Sequence, residues 1–88
     1  MKIYTILQKA SDPELEPYVL EESFDNYDDA VTAAKEAIID TQSDYADETN
    51  IVTNKTAKGD ITSFELWQND ADRWLESVEI CPTYLITL

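Results

Sequence analysis

The sequence predicts a small α+β fold: an antiparallel sheet of about four to five strands with one amphipathic helix packed on one face. Three observations predict it. Asn26 to Gln42 has helical periodicity, the segments on both sides are rich in β-branched and aromatic residues, and turn-forming clusters separate them. The expected element order is β-β-α-β-β-β, in a single domain over residues 1–88.

Lys2 to Gln8 (KIYTILQ) carries Ile3, Tyr4, Ile6 and Leu7 on both of its faces, so it reads as a central strand covered on both sides, or nearly so. Ala10 to Pro17 is a loop, because Pro13 and Pro17 fix φ and remove two backbone donors. Tyr18 to Phe24 (YVLEESF) is a second strand, expected antiparallel to the first, with Phe24 under the helix.

The helix follows. Asn26 is an N-cap whose side-chain oxygen can accept from a free backbone N–H of the first turn. Asp28 and Asp29 stand where the helix dipole favours negative charge, and Asp29 holds the capping-box position. Tyr27, Val31, Ala34 and Ile38, with Ala30, Ala37 and Thr41, make one apolar stripe. Ala30, Ala33, Ala34 and Ala37 keep the face small, so a sheet can approach closely.

Ser43 to Asn50 is polar and acidic, with Tyr45 as a candidate tether, and Ile51 to Thr53 is a short strand. Asn54 to Asp60 is a turn in which Gly59, the one glycine, suits a positive φ. Ile61 to Leu66 and Trp74 to Ile80 form a hairpin around Asn69 to Asp72. Regular alternation places Phe64, Leu66, Trp74, Val78 and Ile80 toward the helix, with Trp67 and Leu75 together on the opposite face. Pro82 is expected to interrupt the chain before a last strand, Tyr84 to Leu88.

Charge is the strongest global signal: nineteen Asp and Glu against six Lys and Arg give a net −13. Such a chain repels nucleic acid and anionic membranes and attracts basic surfaces. No stretch has transmembrane length, and Ile3 to Leu7 is too short for a signal sequence, so a cytoplasmic location is expected. Cys81 is the single cysteine, so no intrachain disulfide can form.

The absence of histidine removes the usual general base near neutral pH and the commonest metal ligand. Cys81, beside Ile80 and Pro82, reads as a small buried hydrophobe. Carboxylates cluster at Asp25, Asp28 and Asp29, at Asp44, Asp47 and Glu48, and at Asp70 and Asp72. Each cluster has a local explanation as helix start, polar loop or hairpin turn, and none has calcium-loop alternation. No catalytic, cofactor-binding or metal-binding residue is therefore expected, and the chain reads as non-enzymatic.

In size and acidity the chain resembles small phage-encoded inhibitors and small immunity proteins; the likeness is one of composition. The function expected is an acidic binding module that docks on a basic protein surface, in the manner of an inhibitor or a nucleic-acid mimic. The candidate contact residues are Glu21, Glu22, Asp25, Asp28, Asp29, Glu36 and Asp40. The alternative is an assembly subunit that homodimerises through an outer sheet face carrying Trp67 and Leu75.

Overall fold

The computed structural model describes residues 2–12, 14–45, 48–69 and 73–84. The side chains of Glu21, Thr83 and Tyr84 lie outside the described set, as do the hairpin-turn residues 70–72 and the expected last strand beyond residue 84. Six elements follow in order: β1 (Lys2–Ala10), β2 (Tyr18–Phe24), α1 (Tyr27–Ser43), β3 (Thr49–Lys55), β4 (Ile61–Gln68) and β5 (Arg73–Tyr84). They form one antiparallel five-stranded sheet, ordered β2-β1-β5-β4-β3, with α1 on one face.

The helix begins where its cap dictates. Asn26 is extended (φ −112°, ψ 125°), and its Oδ1 accepts from the backbone N–H groups of Asp28 and Asp29 at 2.8 and 3.3 Å. Ala30, Ala34 and Ile38 are fully buried, against Ile6, Phe64, Leu66, Val78 and Ile80 of the sheet. Burying each aliphatic side chain of the Ile or Leu size contributes about 1.5–3 kcal/mol. Tyr27 fixes the helix start: its hydroxyl donates to the Ile61 carbonyl at 2.8 Å, and its ring meets Tyr4 edge-on at 5.6 Å.

Three expectations need correction. β1 is central, between β2 and β5, but only one of its faces lies under the helix; among the described residues no element covers the other. Pro82 does not interrupt the chain but lies inside β5, opposite Tyr4. β4 pairs with β5 only as far as Ser63 and Glu79, so beyond that point β5 has a free edge where the missing N–H breaks no ladder bond.

The third correction concerns the outer face. The β4–β5 register shifts between Leu66 and Trp67: Leu66 faces Glu76, yet Trp67 faces Trp74. That bulge reverses the alternation of β5 before Glu76. Leu75 therefore turns into the core, where it is 8% exposed, and Trp74 turns outward to join Ser63, Glu65, Ser77 and Glu79. Leu75 is not an outer-face residue, and Trp67 has Trp74 as its neighbour there instead.

Candidate functional site

The anionic surface is built on α1 and the chain leading into it. At 3.6 residues per turn, Asp29, Glu36 and Asp40 fall within about 40° of one another around the helix axis. All three are exposed, as are Glu22, Asp25 and Asp28 just before them. Lys35 lies roughly 120° away from that line by the same geometry and faces β3, sharing a cavity with Ile51 and Thr53. Asp29, Glu36 and Asp40 thus occupy the crest and the flank that leans away from β3, whereas Asp28, about 100° from Asp29, lies on the side of Lys35. Among the described residues none of these carboxylates pairs with a lysine or arginine. The side chain of Glu21 is outside the described set.

A buried polar cluster sits under the other end of the helix. Gln8 and Thr41 are 7% and 8% exposed. Gln8 Nε2 donates to Thr41 Oγ1 at 2.9 Å and to Glu76 Oε1 at 3.2 Å, while the Tyr18 hydroxyl donates to Gln8 Oε1 at 2.9 Å. Thr41 Oγ1 donates in turn to the Ala37 carbonyl at 2.9 Å, and the Tyr45 hydroxyl donates to Glu76 Oε2 at 2.8 Å. Burial, and then the Glu76 bond, push the Tyr45 phenol up to about 12. With its donors and acceptors matched, this cluster is a specific clasp between α1, β1, β2 and β5. Sequence reasoning missed it, although Gln8 shares the face of Tyr4 and Ile6 by strand alternation.

The uncovered sheet face carries the half-buried Trp67 and Trp74 and the exposed Val19 and Val52. Trp67 Nε1 donates to Glu65 Oε2 at 3.3 Å, Asn54 Nδ2 donates to Glu65 Oε1 at 2.9 Å, and Lys9 pairs with Glu79 at 3.3 Å. Cys81 lies on this same face and is half-buried, not enclosed as expected. Burial and then the Glu79 charge raise its thiol pKa, the opposite of what an activated nucleophile requires.

Among the described residues no three His, Cys, Asp or Glu side chains are grouped to hold a metal ion. No described helix is long and apolar enough to cross a membrane. No protein-family model matches the chain, and no curated protein or solved structure matches it significantly.

Proposed function

We propose that this chain is a non-enzymatic binding module that docks the acidic crest of α1 on a basic protein surface. The observation that carries the reading is the alignment of Asp29, Glu36 and Asp40, exposed and in no ion pair among the described residues, beside Glu22, Asp25 and Asp28. Carboxylates held on a rigid helix lose little further freedom when a partner's lysines or arginines meet them. Complementary charge of this kind speeds encounter more than it deepens affinity.

Charge spacing favours a basic protein patch over strict imitation of a duplex. Asp29 to Asp40 spans roughly 16 Å at 1.5 Å per residue. Over that length a duplex presents about ten charges, at one per ~1.7 Å of axis. The helix line presents three.

The test is capture from lysate at low and high salt, with wild type beside an Asp29→Asn, Glu36→Gln, Asp40→Asn variant. Screening length falls from about 10 Å at 0.1 M to about 3 Å at 1 M salt. A specific partner should be held at low salt, released at high salt and lost in the variant. Absence of any salt-sensitive partner, or equal capture by the variant, ends this reading.

A second reading rests on the Trp67–Trp74 pair, which stands on a sheet face that no described element covers. A homodimer through that face would bury both rings. Sedimentation separates the two readings, since a strict monomer at high concentration removes the second.

A further inference from the structure

We propose that the groove between α1 and β3 binds a small amphiphilic carboxylate. The helix packs over β5, β4, β1 and β2, which leaves β3 at its margin. Val31 of the helix, with Ile51, Ile61 and Phe64 of the sheet, therefore lines an open cavity of about 440 Å³. That volume lies in the usual range of small-ligand sites, roughly 300–1,000 Å³.

Lys35 from α1 and Lys55 from β3 also line this cavity, with Thr53 as a further polar group. Among the described residues neither lysine forms an ion pair, in a chain that has nineteen carboxylates. Both are exposed, and they share one apolar floor. A carboxylate seated there meets two ammonium groups, while its hydrocarbon covers Val31, Ile51 and Ile61, which are half-buried.

The same features limit the ligand. A neutral apolar molecule leaves the lysines unanswered. A polyanion gains nothing from the apolar floor and meets the repulsion of a chain at −13. At ~30 Å³ per water-sized volume, the cavity holds about fifteen heavy atoms, which suits a medium-chain or aromatic monoacid.

The experiment is an NMR titration of the full chain with octanoate and, separately, with 1-octanol, for wild type and a Lys35→Gln, Lys55→Gln variant. The expected result is a saturable octanoate shift at the amides of Ile51, Thr53, Ile61 and Phe64. Octanol, and octanoate with the variant, should each bind about tenfold more weakly. Unmoved amides of Ile6 and Ile38 in the free variant confirm that it folds. The proposal is overturned by equal affinity for acid and alcohol, by a variant that binds as wild type does, or by shifts that do not saturate at these positions.

Discussion

The Tyr45 hydroxyl reaches the Glu76 carboxylate at 2.8 Å, tying the chain just past α1 to the middle of the sheet across 31 residues of sequence. This contact makes alkaline stability predictable. The phenol is raised from its ordinary 10.0 to about 12, so the folded chain holds the proton more tightly than the unfolded chain. Its contribution is complete below pH 10 and is lost as pH climbs toward about 12. Tyr45→Phe is expected to lower stability at neutral pH by about 1 kcal/mol. It should also flatten the fall above pH 10, by urea denaturation at each pH. Tyr27 and Cys81 are raised as well, chiefly by burial, so the readout is the difference between wild type and variant.

The bulge before Glu76 predicts opposite sensitivities at adjacent positions. Leu75→Ala removes a core side chain and should cost about 2–4 kcal/mol. Trp74→Ser removes a larger ring from the outer face and should cost about 1 kcal/mol or less. Regular alternation requires the reverse ranking, so denaturant midpoints of the two variants decide between the registers.

That register also marks where the sequence stopped being legible. The helix could be read because its cap, its acidic first turn and its buried Ala30, Ala34 and Ile38 all agree. Strand faces of Phe64, Leu66, Val78 and Ile80 followed from alternation alone. Leu75 did not, because a bulge inserts a residue without any glycine or proline to signal it. The pairing of β1 with β5 joins the two ends of the described chain, and no local pattern encodes a contact of that separation. The acidic line on α1 was legible from helical spacing. So was its angular distance from Lys35, but the approach of Lys55 was not, since that depends on where β3 lies beside the helix.

Ala34 tests how closely the helix must approach. It is fully buried over the sheet, and its methyl group sets the spacing there. Ala34→Leu adds three carbons to a filled layer and should cost about 1–3 kcal/mol despite leucine's good helix propensity. Ala33→Leu, on a half-exposed flank of the same helix, should change stability by less than about 1 kcal/mol. Similar losses at both positions, in thermal or chemical denaturation, would mean that helix formation rather than close packing is what the substitution disturbs.

Gly59 holds the turn that delivers Lys55 to the groove. Its φ is +93°, its N–H donates to the Thr56 carbonyl at 2.9 Å, and the Thr56 N–H donates to the Asp60 carbonyl at 2.9 Å. A Cβ built at residue 59 meets nothing within 4 Å, so any loss on substitution comes from the backbone and not from a clash. Gly59→Ala is expected to cost about 1 kcal/mol. Gly59→Asn should cost less, because asparagine tolerates positive φ better than alanine does. Equal losses for the two variants would show that the left-handed conformation is not what the turn requires of this residue. With alanine at 59 the hairpin should also loosen, and hydrogen exchange would then rise at Lys55 and Ile61, which the register pairs across the turn.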